Sequence, residues 1–289
     1  MLKPWLELAR ISNLPTAWTN VLAGWLLAGG NLHDQRLLWL LLGGSLLYSG
    51  GMILNDAADA GYDREHRKER PIPRGTVSVG AAWGGGLLLL VLGFGCCVPL
   101  GRASAPVAGA LIAAILAYDL YHKPWAGSVI IMGACRTLLY WVAASAVTGT
   151  RITADAVFLV PALTIGAYIV GLTMAARMEG KRDTPGSPAV AWLSTALLWS
   201  PGIAATAWVF TGGNALVLVL VAAFAVLIAM ASRMMKRGGP EIGRAVGWLL
   251  AGIALVDALA VARVSFGLAC GFAACVPLLR LWQRKIAAT

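Results

Sequence analysis

Ten long apolar stretches occupy most of this chain. They run over 14–30, 37–54, 76–100, 105–121, 125–148, 155–176, 189–210, 213–233, 244–262 and 265–282. A membrane-crossing helix needs about 20 mostly apolar residues, whereas a barrel strand needs only about 10. Lipid offers no partner to a bare peptide group, so stretches of this length must close their hydrogen bonds as helices. The expected fold is an all-α polytopic membrane protein with nine or ten transmembrane helices. No polar stretch is large enough for a soluble unit, so 1–289 reads as a single transmembrane helical domain. The tenth stretch, 265–282, is separated least from its predecessor and reads as an added C-terminal helix.

Charge agrees with this. Only 12% of the residues are charged, where a soluble domain has about 25%. A mean hydropathy of +0.75 excludes both an ordinary soluble enzyme and a disordered chain. The net charge is +10, but the basic residues lie in short clusters between apolar runs. That pattern suits membrane orientation and lipid head groups, with no nucleic-acid partner expected. With the N-terminus cytoplasmic, ten crossings place 18 of the 23 Lys and Arg residues on the cytoplasmic side. Nine crossings leave 15 against 7, a weaker asymmetry. The expected setting is a bacterial-type inner (plasma) or thylakoid-like membrane, with the loops that carry the site facing the cytoplasm.

Cys96, Cys97, Cys135, Cys270 and Cys275 all lie in apolar runs without a CxxC. They read as small packing residues, and His33, His66 and His122 do not complete a metal set with them. Lys3 and Arg10 precede the first run, but no A-x-A site follows, so that run reads as a retained helix.

The chemistry concentrates after the second run, in NDAADAGYDREHRKERPIPRG. Of 13 acidic residues in the chain, five lie between 56 and 69. Asn55, Asp56, Asp59 and Asp63 fall at roughly 0°, 100°, 40° and 80° around a continued helix. Three carboxylates on one face repel and require positive charge. Mg²⁺ suits them, because it takes carboxylate oxygens and shares its remaining positions with phosphates. Arg64, Arg67, Lys68, Arg70 and Arg74 follow, and arginine forks match phosphate geometry. The segment therefore reads as a Mg²⁺–phosphate site at a membrane surface.

NDxxDxxxD followed by Arg70-Pro71-Ile72-Pro73-Arg74-Gly75 resembles the UbiA superfamily of intramembrane prenyltransferases. ARISNLPTAWTNVLAGW resembles the family's first helix, with Asn13 at a pocket-lining position. YDLYHKP resembles its Tyr-then-Lys element and supplies Tyr118 and Lys123. SNLPTAWTN and MGACR look most like the UbiA-like proteins of ebo-type gene clusters. The resemblance implies Mg²⁺-dependent transfer of a prenyl group from an allylic prenyl diphosphate to an acceptor. Asp56, Asp59 and Asp63 would hold the metal and diphosphate, assisted by Asn55. Arg67, Arg70, Lys123, Arg177 and Lys181 would contact the diphosphate. The acceptor is an unidentified lipophilic or small molecule, and no general base is identifiable.

The family's second motif, Asp-x-Glu-Gly-Asp, aligns with Arg177-x-Glu179-Gly180-Lys181. Both aspartates are then basic, Glu179 remains, and Asp183 is a displaced candidate. Two cations here could stand in for a second Mg²⁺. The same departure suits two other readings. One is a non-catalytic carrier or export component for an isoprenoid or metabolite precursor. The other is a transferase with a polyprenyl phosphate acceptor and a sugar diphosphate donor.

Arg136 and Asp257 are intramembrane charges, and Asp119 lies near a helix end. Such charges face a cavity or a partner. Arg136 reads either as an anion contact or as a structural pair with Asp119 or Asp257. For Asp257 the structural reading leads.

Overall fold

The computed structural model describes residues 2–121, 125–149, 155–179 and 187–283. Among these residues every regular element is helical. A short helix α1 (Leu2–Leu8) and a 3₁₀ turn (Ile11–Asn13) lead into α2 (Pro15–Leu27). Then come α3 (Arg36–Ala58), α4 (Ala60–His66), α5 (Val79–Gly95), α6 (Ala105–Tyr121) and α7 (Ser128–Thr148). The chain continues through α8 (Ala156–Glu179), α9 (Pro188–Phe210), α10 (Val217–Arg237), α11 (Pro240–Val261) and α12 (Phe266–Gln283).

All ten apolar stretches form helices. Eight of these are long and apolar enough to cross a membrane, counting α5 together with the π-turn Cys96–Leu100. The other two are shorter: α6 has 17 residues and α2 has 13. At about 1.5 Å per residue, α2 alone rises only about 20 Å. Its first turn is extended by the 3₁₀ segment before it.

The helices alternate in direction, and side-chain bonds tie neighbouring ends. Gln283 at the end of α12 donates to Asn13 before α2 (2.9 Å). Asn55 near the end of α3 donates to Asp119 near the end of α6 (3.1 Å). At the opposite end, Arg36 at the start of α3 donates to the Ala146 carbonyl in α7 (2.7 Å). The start of α2 and the end of α12 thus share one end of the bundle, as an even number of crossings requires.

The bundle turns a soluble protein inside out. α11 is its centre, buried from Ala251 through Val261, and α2 and α8 pack on it. Large apolar side chains point outward from α5 (Leu88, Val91), α9 (Trp192, Phe210), α10 (Val219, Val226) and α12 (Leu278, Leu281). A helix apolar all round belongs in lipid. Small residues allow close crossings, among them that between α3 and α5. A Cβ on Gly50 would come 2.9 Å from the Gly86 carbonyl oxygen, so glycine permits this approach.

Candidate functional site

The acidic segment keeps its helical register across the α3–α4 junction. Asp59 joins the two helices in a right-handed conformation, φ −81° and ψ −3°. Its N–H bonds the Asn55 carbonyl (3.0 Å), and the Asp63 N–H bonds the Asp59 carbonyl (2.9 Å). Asp56, Asp59 and Asp63 therefore point inward and are 5%, 9% and 2% exposed. Tyr62, Arg64, Glu65 and Arg67 take the outer, exposed face.

α4 stops at Arg67, and a turn over Pro71–Thr76 folds the chain back. The Thr76 N–H and Oγ1 both bond the Pro71 carbonyl (3.1 and 2.8 Å), and Gly75 takes a positive φ of 74°. That reversal brings Arg70 inward. Its Nη1 lies 2.8 Å from Asp63 Oδ2 and 3.1 Å from Asp56 Oδ1. A second guanidinium arrives from the N-terminal segment, with Arg10 Nη2 at 3.2 Å from Asp56 Oδ1. Arg10 holds a left-handed backbone, φ 44° and ψ 50°. For a non-glycine residue this costs on the order of 1–3 kcal/mol, which the surrounding contacts must offset.

Burial pushes the Asp63 carboxyl above the usual carboxylate range, and nearby Asp59 and Asp56 push it further. Arg70 opposes them. Removing Arg70 should therefore raise Asp63 more. For Arg70→Met, the pH at which Asp63 is half-protonated should move upward. A calorimetric pH series checks this, and an unmoved or lowered midpoint would contradict the pairing.

A second set of polar groups adjoins the acidic ridge. Asn55 bonds Asp119, and the preceding residue, Tyr118, accepts from Arg177. Arg177 also donates to the Ala126 carbonyl (2.8 Å) and to Ser128 Oγ (2.7 Å). It thereby straps the end of α8 to the start of α7. Buried Asn13 bonds the Tyr48 hydroxyl on one side and Gln283 on the other. Gln283 also accepts from Arg280 (2.6 Å), whose guanidinium lies 4.7 Å from the Trp248 ring centre. Replacing Gln283 by Leu removes this bond to Asn13 and should cost about 1 kcal/mol. Thermal unfolding in one detergent checks this, and no change would make the α12 contact incidental.

Behind the ridge lies a partly open groove of about 580 Å³ between α3, α6 and α7. Leu47, Leu111, Ile115 and Leu139 give it apolar walls, and Tyr118 and Asp119 stand among its lining residues. Tyr48 and Arg136 also line it, with the Arg136 guanidinium 5.6 Å from the Tyr48 ring centre. Arg136 donates to Asn20 Oδ1 (2.7 Å), and Asn20 Nδ2 donates to both oxygens of Asp257 (2.9 and 2.8 Å). Tyr140 completes the set with a 2.6 Å bond to Asp257. The structural partner expected for Arg136 is thus Asp257, reached through Asn20.

The structure brings Asn13, Asn55, Asp56, Asp59, Asp63, Arg70, Tyr118 and Arg177 to one end of the bundle, with Arg136 deeper. Arg67 is exposed and lies outside this cluster. Lys123, Lys181 and Asp183, and the side chain of Glu179, lie outside the described residues. Arg10 and Tyr48 belong to the site, and reading the sequence alone missed both. Arg10 offered a signal, standing three residues before Asn13 in the first-helix motif. Among the described residues, no three His, Cys, Asp or Glu side chains converge as a metal-ligand set.

Comparison with known proteins identifies the family and the fold. A digeranylgeranylglyceryl phosphate synthase from Sulfolobus acidocaldarius is 31% identical over 117 residues, 40% of this chain and 42% of the relative. The chain thus matches well under half the length of that curated relative. An apo UbiA homologue from Aeropyrum pernix K1 superposes with a TM-score of 0.67 at 18% identity, covering 86% of this chain and 96% of that one. A UbiA homologue from Archaeoglobus fulgidus, bound to GPP and Mg²⁺, superposes at 0.56 and 14% identity, covering 95% and 99%. These two likenesses show the fold. The sequence profile of the UbiA prenyltransferase family matches residues 16–246, most of the chain. This integral membrane protein belongs to the UbiA prenyltransferase family.

Proposed function

We propose that this protein transfers a prenyl group from an allylic prenyl diphosphate to an acceptor within the membrane, with Mg²⁺ as cofactor. One observation carries the reading: three buried aspartates and two inward-turned arginines stand where an apolar groove meets the end of the bundle. The name of the Sulfolobus relative and the GPP and Mg²⁺ bound by the Archaeoglobus homologue support it.

The donor set fits Mg²⁺ in kind. Asp56, Asp59, Asp63 and Asn55 present oxygen, with no nitrogen or sulfur ligand that would favour zinc. Burial holds the Asp63 carboxyl above its ordinary value, and Arg70 only partly offsets it. Asp56 and Asp63 would hold the ion once Arg70 lets one of them go, with Asp59 between them. Bound Mg²⁺ would stabilise the charge that develops on the departing diphosphate.

The protein's own groups account for the rest. The C1–O bond of the prenyl diphosphate breaks, and its electron pair leaves with the diphosphate. Arg10 and Arg70, released from carboxylates, turn to the leaving oxygens as fixed donors. Arg177 holds a further cation at the adjoining edge. The apolar groove takes the prenyl chain and keeps water from the allylic cation. The acceptor's nucleophile bonds C1, and its proton passes to the departing diphosphate. The positive-inside pattern supports a cytoplasmic setting for this end of the bundle.

A deuterated prenyl diphosphate, supplied with host lipid extract in nanodiscs, tests the reading. Label should appear in a product lipid or small molecule, with one pyrophosphate released per label. Basic Arg177 favours a carrier as second reading; saturable binding of the labelled diphosphate without transfer would support it. Sugar transfer from a sugar diphosphate to an added polyprenyl phosphate, with the labelled prenyl diphosphate left unconsumed, would instead support the polyprenyl phosphate reaction.

A further inference from the structure

A separate cavity lies between the end of α8, the start of α9, the end of α10 and the start of α11. It is partly open and holds about 700 Å³, a volume within the range of ligand pockets. None of its lining residues lines the groove between α3, α6 and α7 or belongs to the acidic ridge.

Its walls suit a hydrocarbon chain. Ala175 and Ser194 are buried lining residues, and Ala191 and Met235 add apolar surface. Two of the lining hydroxyls have already spent their protons. Ser194 Oγ donates to the Gly171 carbonyl (2.8 Å), and Thr195 Oγ1 donates to the Ala191 carbonyl (2.9 Å). Neither is left as a donor for a polar ligand.

The mouth differs. Lys236 is the charged residue of the lining, and it is exposed. Ser232 lies one turn earlier on the same face of α10 and also lines the cavity. Neither side chain has a hydrogen-bond or ion-pair partner among the described residues. Arg233 and Arg237 are exposed on the neighbouring face, again without an acidic partner there. Glu241 is the only acidic residue between Asp183 and Asp257, and Arg244 takes it. The protein therefore leaves three cations at the end of α10 unneutralised. Beside the cavity, Trp192 and Leu193 at the start of α9 point outward, 76% and 53% exposed. Such residues face lipid near a helix end, so the cavity opens where head groups meet acyl chains.

We propose that this cavity binds one anionic phospholipid. An acyl chain lies against Ala175, Ala191 and Met235, and the head-group phosphate sits on Lys236, with the Ser232 hydroxyl donating to it. Two arguments commit the site to a lipid. A basic pocket between transmembrane helices is the form that sites for anionic head groups take. The apolar wall behind Lys236 gives a free phosphate nothing, whereas it buries a chain. No residue is shared with the acidic ridge, so the site stands without the prenyl-transfer reading.

Native mass spectrometry of the full chain in detergent tests this, with dimyristoyl phosphatidylglycerol and the zwitterionic dimyristoyl phosphatidylcholine as probes. A single phosphatidylglycerol should bind each chain about fivefold or more tighter than phosphatidylcholine, the factor that one cation beside an anionic head group supplies. Lys236→Gln should lose that preference, and Lys236→Arg should keep it. Lys236 is exposed, so neither variant disturbs the packing. Arg233→Gln removes the same charge from the same helix end but outside the cavity, and should leave the preference in place. Ala191→Phe should fill the cavity and abolish binding with Lys236 still present. Glycerol phosphate, a head group without chains, should not compete. Equal binding of the two lipids, or binding unchanged in Ala191→Phe, would overturn the proposal. Equal losses in Arg233→Gln and Lys236→Gln would overturn it in favour of general surface charge, and full competition by glycerol phosphate in favour of a phosphate site.

Discussion

Asp56→Ala/Asp59→Ala is expected to release pyrophosphate from a prenyl diphosphate on the order of 1,000-fold more slowly than wild type. The reasoning is electrostatic. Departure of the diphosphate concentrates negative charge at the end of the bundle, and removing one preorganised stabilising group there costs about 100- to 1,000-fold. Two adjacent members of a three-aspartate set should cost at least the upper figure. The loss should fall mainly on kcat, because the groove and Arg10, Arg70 and Arg177 still hold the substrate. Stability should fall only modestly: Arg10 loses its 3.2 Å partner Asp56, but the double variant relieves repulsion between like charges, and Arg70 keeps its 2.8 Å bond to Asp63. Stopped-assay kinetics with a Tm measured beside them decides this. Wild-type turnover in the double variant would remove the acidic ridge from the chemistry.

Asp257→Leu should have the largest effect on stability, about 3–5 kcal/mol. Asp257 has no exposed surface and lies in α11, the centre of the bundle. Leucine there leaves the Asn20 amide and the Tyr140 hydroxyl without their acceptor. It also leaves Arg136 without counter-charge in an apolar surrounding. Removing one member of a buried charge set costs far more than removing both. Asp257→Asn, of the same shape, should cost less, and the Arg136→Gln/Asp257→Asn pair less than the two single costs added together. Unfolding in one detergent across these four proteins measures the coupling. Additive losses would mean that Arg136 and Asp257 do not share a network.

Both predictions rest on residues that a linear reading treats unequally. The acidic ridge was legible because it is local: four residues at helical spacing share a face whether or not the rest of the fold is known. Helix existence was legible for the same reason, and each apolar stretch became a helix. Contacts made across the bundle were not legible. Arg10 meets Asp56 across 46 positions, and Asn20 meets Asp257 across 237. No periodicity encodes such pairs. Arg67 and Arg70 looked equivalent in sequence, yet the turn over Pro71–Thr76 carries only Arg70 inward. The added helix α12 was legible as a helix, whereas its bond from Gln283 to Asn13 crosses 270 positions and needed coordinates.

The most direct measurement is pyrophosphate release by the purified protein in lipid nanodiscs, with a panel of prenyl diphosphates, Mg²⁺ and host lipid extract. The prenyltransferase reading expects release that needs Mg²⁺, matches prenyl incorporation molecule for molecule, and disappears in Asp56→Ala/Asp59→Ala. Saturable, Mg²⁺-dependent binding of the same diphosphates with no release, across the panel and with the extract present, would contradict it and make the protein a carrier.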